Sequence, residues 1–241
     1  MDSTIKKQLG MSLIEVMVAL TLSLVIILAI LRAYVSLGYV SAETTRGASI
    51  DANITEGLIV ADRILQGIGY NTVAPTGSSY GNDKLIQAYS YDSTLDEFIT
   101  TGLNTAAEAI VWKLSNGNCQ ALKSNGKDLI YYLGTNGAGY SCTTLALPST
   151  TTPPPSQTLI STAPDMPNTV HSDVGKISLQ VTKLTGSDIC TPFGVTNTSA
   201  TATGGKYYVE VKANIYATST SSTLPTLSNS TCLFNVIGLT H

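Results

Sequence analysis

Side chains that could catalyse a reaction or bind a metal are few in this sequence of 241 residues. Its two histidines, His171 and His241, are far apart along the chain, and neither has an obvious partner. A catalytic triad or a metal centre needs several such groups together, so the histidines give little support to either. Asp92, Asp96 and Glu97 form an acidic cluster, but their spacing fits neither an EF-hand nor another pattern of oxygen ligands. We predict that the chain is not an enzyme and that it needs no metal or other cofactor.

The four cysteines are widely separated along the sequence: Cys119, Cys142, Cys190 and Cys232. They form no C-x-x-C pair and have no histidine at ligand spacing, which argues against a zinc site. An even number of cysteines in an exported chain favours two disulfides, for which three pairings are possible. We favour bonds between neighbours in sequence, Cys119 with Cys142 and Cys190 with Cys232.

The overall composition is typical of an exported, β-rich surface protein. Apolar residues make up 43% of the chain and charged residues only 12%, and the net charge is -3. Thr, Ser, Asn and Gly are abundant in the second half. Since nucleic-acid binding requires a cluster of basic side chains, we expect no nucleic-acid partner.

One carboxylate, Glu15, lies within an otherwise apolar segment near the N-terminus. The stretch from Val16 to Leu31 is uncharged, and its only polar members are Thr21 and Ser23. A charged side chain costs roughly 2.5 to 3.5 kcal/mol at the centre of a membrane helix and less near its end. A signal sequence has no use for such a charge, so Glu15 needs another explanation.

The segment from Met11 to Leu31 is long enough to cross a membrane as a helix, since it would cover roughly 30 Å. Lys6 and Lys7 precede it, so the positive-inside tendency leaves the N-terminus in the cytoplasm and sends the rest outward. The alternative is a secretory signal peptide that is removed. No small-x-small cleavage site follows Leu31, where RAYVSLGYV continues a plausible helix.

The residues KKQLG followed by MSLIEVMVAL resemble the signature of type IV prepilins. That signature combines a short basic leader, a glycine, a hydrophobic first mature residue and a glutamate at the fifth mature position. The resemblance implies that residues 1–10 are a leader, removed between Gly10 and Met11 by a prepilin peptidase that also N-methylates Met11. Gly10 would matter because a residue without a side chain lets the protease approach the backbone closely.

The resemblance also implies a role for Glu15 in filament assembly. Cleavage creates an α-amino group with a pKa of roughly 7.7 to 8.0, and a carboxylate attracts it strongly in a low-dielectric setting. In the family this ammonium belongs to the neighbouring subunit, so the pair sets the register between helices. A tolerated carboxylate near the membrane interface is the alternative. Arg32 stands where major subunits commonly carry proline, which favours a minor subunit.

Residues 32–70 are predicted to continue the helix with one apolar face: Ile50, Ile54, Leu58, Ala61, Leu65 and Ile68. The charged residues between them are expected to face solvent: Glu43, Arg46, Asp51, Glu56, Asp62 and Arg63. Gly47 and Gly57 would be weak points, and the helix should end at Gly67–Gly69 before Pro75. The ending ITEGLIVADRILQGIGYN resembles that of PilW-type minor pilins and of J-type pseudopilins of type II secretion.

Residues 71–241 are predicted to form a β-rich head. Alternating apolar residues in KYYVEVKANIYA predict a half-buried strand over Tyr207–Ala217, and Ile177, Leu179 and Val181 repeat the pattern. Further strands are expected at Ala109–Leu114, Leu129–Leu133 and Cys232–Ile237, with turns at Asn116-Gly117, Asn125-Gly126 and Asn136-Gly137. Pro153–Pro155 are interpreted as an exposed loop, and a boundary between two independent domains is the alternative. The resulting fold class is α+β, pilin-like: one long N-terminal helix, first transmembrane (11–31) and then amphipathic, packed on an antiparallel sheet with long loops.

Three functions are compatible with this pattern. The first is a minor pilin that primes or caps a type IV pilus, with other pilins, the inner-membrane assembly platform and a tip adhesin as partners. The second is a pseudopilin of type II secretion. The third is a binding protein whose head recognises a glycan through aromatics such as Trp112, Tyr131, Tyr132 and Tyr140, although these residues could equally be cross-strand packing partners. The expected location is a single pass through the inner membrane with the head in the periplasm, and then the filament.

Overall fold

The computed structural model describes residues 12–70, 85–95, 97–142, 144–161, 171–184, 188, 190, 205, 207–217, 220 and 222–236. The chain divides into two compact units, Met1–Gly47 and Ala48–His241. One α-helix, α1, covers Leu13–Gln66. The strands are β1 Ile86–Asp92, β2 Glu97–Thr101, β3 Ala106–Ala107, β4 Ala109–Lys113, β5 Cys119–Ser124, β6 Asp128–Tyr132, β7 Ser156–Ser161, β8 Ile177–Lys183, β9 Tyr207–Asn214 and β10 Thr226–Cys232.

The apolar face predicted for the second half of α1 is confirmed. All six of its residues are buried in the unit that begins at Ala48: Ile50, Ile54, Leu58, Ala61, Leu65 and Ile68. The helix ends at Gln66, and a turn follows in which the Gly67 N–H donates to the Ile64 carbonyl at 3.1 Å. Gly69 has a φ of 83°, which is easy only for glycine, so it lets the chain leave the helix. Pro75 lies outside the described residues.

The head contains two antiparallel sheets rather than one. The larger has the strand order β2-β1-β4-β5-β6-β7, and the smaller has the order β10-β9-β8-β3. Every strand pair in both is antiparallel. The α+β class and the helix packed on antiparallel sheets are therefore confirmed, and the arrangement agrees with a type IV pilin-like fold.

One hydrophobic core joins the helix to both sheets. The smaller sheet contributes the inward residues of β9, where Tyr207, Val209, Val211 and Ala213 are buried and the residues between them are only half-buried. The alternation seen in the sequence thus marks the face of β9 that packs on the core. The larger sheet contributes residues such as Ile110 and Trp112, and the Trp112 ring stacks on Tyr131 with 6.1 Å between ring centroids.

A second, smaller cluster lies on the other face of the larger sheet. Val111, Cys119, Ala121 and Leu145 form it, and Tyr89, Tyr132 and Tyr140 pack against it. The loop of residues 133–155 supplies Leu145 and closes this face, so four of the five residues of β4 are buried. The proline segment of the loop leads directly into β7, which pairs with β6, so it is a loop within the head, as expected.

The three Asn-Gly pairs all lie in turns. Asn116-Gly117 connects β4 to β5, and Asn125-Gly126 connects β5 to β6. At Asn136-Gly137 both residues have positive φ, 53° and 76°, which is the backbone of a type I′ turn. This third turn lies inside the loop between β6 and β7.

The prediction of a strand at Cys232–Ile237 is wrong. β10 instead covers Thr226–Cys232 and ends where that prediction begins. Leu233–Val236 form a turn in which the Val236 N–H donates to the Leu233 carbonyl at 3.0 Å. Leu233 and Val236 are buried beside the end of α1, so their apolar character reflects core filling and not strand pairing.

Several strands lacked a clear signal in the sequence. The sequence pattern did not predict five of them: β1, β2, β3, β5 and β7. β2 and β7 are polar edge strands, and the central strand β5 is buried on both faces, so it shows no alternation of apolar and polar residues.

Candidate functional site

The first half of α1 is an apolar surface exposed along its length. Its most apolar 18-residue window has a mean hydropathy of 2.8 and is 0% buried. Within it the Thr21 hydroxyl donates to the Val18 carbonyl at 2.9 Å, and the Ser23 hydroxyl donates to the Ala19 carbonyl at 2.8 Å. Both polar groups are thus satisfied inside the helix, and the segment is long and apolar enough to cross a membrane.

Glu15 lies at the start of this segment, where it caps the helix. One Glu15 carboxylate oxygen, Oε2, accepts a hydrogen bond from the Ser12 N–H at 3.2 Å, and the Ser12 carbonyl accepts the first helical bond from Glu15 N at 3.0 Å. Ser12-Leu13-Ile14-Glu15 matches the S-x-x-E pattern of a capping box, in which a glutamate satisfies an N–H that has no helical partner. This local role of Glu15 was not predicted from the sequence.

Gly10 and Met11 lie outside the described residues, so the cleavage position is defined by sequence alone. The first described residue is Ser12, which would be the second residue of a processed chain. The structure thus combines a capping carboxylate with an exposed, uninterrupted apolar helix that follows it directly. Such a segment suits insertion into a membrane and lateral contact with other apolar helices.

Residues 5–31 match the family described as the prokaryotic N-terminal methylation motif. The chain is therefore type IV prepilin-like, as its first 31 residues suggested. No curated protein and no solved structure shows significant similarity to the chain. The motif covers the apolar first part of α1 and does not extend into the head.

The second half of α1 contacts the head through polar bonds that the sequence analysis missed. Asp51 and Asp62 were expected to face solvent, and this is wrong. Asp51 Oδ1 accepts a hydrogen bond from the Tyr216 N–H at 2.9 Å, and Asp62 Oδ1 accepts one from the Thr231 hydroxyl at 2.5 Å. Both aspartates therefore connect the helix to the smaller sheet and the chain that follows it.

Three asparagines extend this set of bonds. The Asn53 amide donates to the Ser161 carbonyl at 2.7 Å, at the end of β7. Asn229 on β10 donates to the Leu58 carbonyl at 3.4 Å, and Asn235 donates to the Gln66 carbonyl at 3.2 Å. Carbonyl groups near the end of a helix lack helical partners, so the bond from Asn235 also caps α1.

Gly57 was expected to weaken the helix, but the structure assigns it a packing role. It is buried, and a Cβ at this position would overlap the Ile160 side chain and the Leu159 carbonyl oxygen on β7. Only glycine lets the strand come this close to the helix. The sequence did contain a sign of this packing role, because Gly57 directly precedes Leu58 on the buried side of α1.

Both disulfides form, with Cys119 bonded to Cys142 and Cys190 bonded to Cys232. The pairing is the one favoured between neighbours in sequence. Cys119–Cys142 attaches the loop of residues 133–155 to β5. The second bond links Cys190 to Cys232, the last residue of β10. A side chain at Gly205 would come within 2.9 Å of the Cys190 sulfur, so this glycine leaves room for the second bond.

The remaining candidate residues have structural contacts. Asp92 Oδ1 accepts the Thr94 N–H at 2.8 Å, which holds the pKa of Asp92 below its ordinary value. His171 Nδ1 accepts the Asp173 N–H at 3.2 Å within a turn. Asp96 and His241 lie outside the described residues. Within the described part of the chain, no three His, Cys, Asp or Glu side chains are grouped so as to hold a metal ion.

Most aromatics proposed for sugar stacking pack inside the head. Trp112 is 2% exposed, and the Tyr140 hydroxyl donates to the Ala146 carbonyl at 2.8 Å. Burial, together with the neighbouring Tyr89 and Tyr132, raises the pKa of Tyr140 well above that of a free tyrosine. Cross-strand packing, the alternative kept for these residues, describes Trp112, which stacks on Tyr131 across the sheet.

Proposed function

We propose that this chain is a structural subunit of a type IV pilus, most like a PilW-type minor pilin, that is processed between Gly10 and Met11. The observation that supports this role is the methylation motif at residues 5–31, which continues directly into the exposed apolar part of α1. In this proposal residues 1–10 are the leader, 11–31 the membrane and filament-core segment, 32–70 the amphipathic helix, and 71–241 the head. The role is assembly, not catalysis.

The subunit would pass once through the inner membrane with its head in the periplasm until it enters the filament. Its partners would be prepilin peptidase, other major and minor pilins and the inner-membrane assembly platform. The two disulfides support export of the head, because structural disulfides persist in oxidising compartments. A methylated Met11 ammonium would pair with Glu15 of the next subunit and set the axial register.

The first experiment is intact-mass and N-terminal analysis of the protein isolated from native membranes or from sheared filaments. We expect the wild-type chain to begin at N-methylated Met11, and we expect Gly10→Val to retain the leader because the added side chain blocks the protease. A retained leader in the wild type would contradict the proposal. So would a cut after Leu31, which would indicate an ordinary signal peptide.

A second set of variants separates the two roles of Glu15. Glu15→Gln keeps an acceptor that can cap the helix but removes the charge, whereas Glu15→Ala removes both. If the intersubunit ion pair sets the register, both variants are processed and both are missing from sheared filaments. If capping is what matters, Glu15→Gln assembles like the wild type. Glu56→Ala, an exposed position on the same helix, is the matched control.

A pseudopilin of type II secretion is the second candidate, supported by the likeness of the α1 ending to J-type pseudopilins. Deletion of the gene distinguishes the two functions. Loss of surface pili with normal export of secreted enzymes supports the pilus subunit, while the opposite phenotype supports the pseudopilin.

A further inference from the structure

A cleft of about 550 Å³ lies between the two sheets of the head. β1, β2 and β5 of the larger sheet line one side, and β3 and the start of β8 line the other. Clefts that bind small ligands usually have volumes of roughly 300 to 1,000 Å³ and combine apolar walls with a few polar groups. This cleft is large enough for one or two sugar rings.

Two aromatic rings form one wall of the cleft. The Tyr91 and Phe98 ring centroids are 5.4 Å apart with an interplanar angle of 61°, an edge-to-face pair. Tyr91 is 44% exposed, so part of its ring is open to a ligand. The Glu108 carboxylate accepts a hydrogen bond from the Tyr91 N–H, which fixes the position of this wall.

Two lysines, Lys123 and Lys176, and one acidic residue, Glu108, line the cleft, so its lining carries a net positive charge. The Lys123 ammonium lies 4.3 Å from the centroid of the Phe98 ring, where a cation is attracted to the ring face. Lys176 lies on the opposite side and is exposed. No described carboxylate lies within ion-pair distance of either lysine. Partial burial of Lys123 lowers the pKa of its ammonium, because the charge is desolvated.

The Lys123 ammonium is therefore partly desolvated and has no ion-pair partner among the described residues. An anionic ligand would supply that partner. Residues 71–241 contain eight lysines, ten Asp or Glu and no arginine, so their net charge is negative. The positive charge of the cleft therefore differs in sign from that of the head as a whole. A ligand with both a carboxylate and an apolar ring face would use the lysines and the aromatic wall at once.

We propose that this cleft binds an acidic sugar, a hexuronate unit of a glycan, with its ring against Tyr91 and Phe98 and its carboxylate at Lys123 and Lys176. An acidic peptide suits the cleft less well. An acidic peptide could add to β2 or β3, the edge strands that line the cleft, but its carboxylate side chains have no ring face to lie against Tyr91 and Phe98. The proposal concerns the head alone and does not depend on whether the chain is processed or assembled.

The test is calorimetric titration of the full chain in detergent micelles with a hyaluronan tetrasaccharide, which contains glucuronate. Its carboxyl-reduced form, which keeps the rings but loses the charge, is the matched ligand. We expect saturable binding of the acidic form only. Lys123→Gln should weaken this binding about tenfold, as expected for loss of a charge-assisted hydrogen bond, and Phe98→Leu should weaken it as well.

Lys183→Gln is the matched control, because Lys183 is an exposed lysine at the end of β8, outside the cleft. Lys176→Gln provides a second cleft variant at an exposed position, in case Lys123→Gln fails to fold. The proposal is overturned by no saturable binding of the acidic tetrasaccharide, by equal binding of its carboxyl-reduced form, or by equal losses in Lys176→Gln and Lys183→Gln. Tighter binding of a tetraglutamate peptide than of the acidic sugar would instead identify a peptide site.

Discussion

At the scale of single residues, the polar side chains of α1 do more than keep a helix face soluble. Asp62 is half-buried and makes two hydrogen bonds, one from the Thr231 hydroxyl at 2.5 Å and one from the Gln66 amide at 2.7 Å. Thr231 itself is only 2% exposed. Loss of the Asp62 carboxylate would leave the hydroxyl buried without this partner, which is more costly than loss of a solvent-facing charge.

We predict that Asp62→Ala lowers the free energy of unfolding of the head by about 1 to 3 kcal/mol. Thermal unfolding of the full chain in detergent, followed by circular dichroism, measures the loss. Glu56→Ala, at an exposed position of the same helix, should change the midpoint little. In a double-mutant cycle with Thr231→Val, the two losses should not add, and strict additivity would show that the hydrogen bond does not stabilise the head.

At the scale of elements, α1 and β7 approach so closely that the helix has no space for a side chain at Gly57. Helix propensity alone favours alanine over glycine by about 1 kcal/mol within a helix. The packing of Ile160 and Leu159 opposes this gain, because a methyl group would overlap both. The two effects have opposite signs, so a single substitution decides between them.

We predict that Gly57→Ala destabilises the head by about 1 to 3 kcal/mol, the usual cost of overpacking a core. Gly38→Ala is the matched control, because no atom lies within 4 Å of the position its methyl group would take. Chemical denaturation of both variants provides the comparison. A Gly57→Ala protein more stable than the wild type would mean that β7 does not contact α1 as described.

At the scale of the whole molecule, the apolar segment and the disulfide-bonded head are suited to different environments. The segment exposes large apolar side chains, such as Leu24 at 61% and Ile27 at 55%, which water solvates poorly. The described part of the head buries most of its large apolar residues and carries two disulfides. A membrane suits the first and an oxidising aqueous compartment suits the second.

We predict that Val25→Lys sharply reduces the fraction of chain that resists extraction from membranes by alkaline carbonate. A lysine near the centre of a span costs roughly 2.5 to 3.5 kcal/mol. Val40→Lys, beyond the predicted span, should remain membrane-bound like the wild type. Equal extraction of both variants would argue that residues 13–31 do not cross the bilayer.

The sequence by itself determined the type of N-terminus, the apolar face of α1 and the strongest strands. These features depend on local patterns: the motif around Gly10 and Glu15, the repeat of three and four from Ile50 to Ile68, and the alternation in β9. Each pattern involves residues that are close along the chain, so no knowledge of distant contacts was needed. The cysteine pairing was favoured among three that the sequence left open, and the structure contains the favoured one.

Only the tertiary structure decided which polar residues bind the helix to the head and which strands form the second sheet. Asp62 meets Thr231 across 169 positions of sequence, and no local pattern encodes that contact. β5 shows no alternation because loops and a second sheet cover it on both faces. The cleft likewise depends on residues from β1, β2, β5 and the start of β8, whose proximity arises from packing of the two sheets.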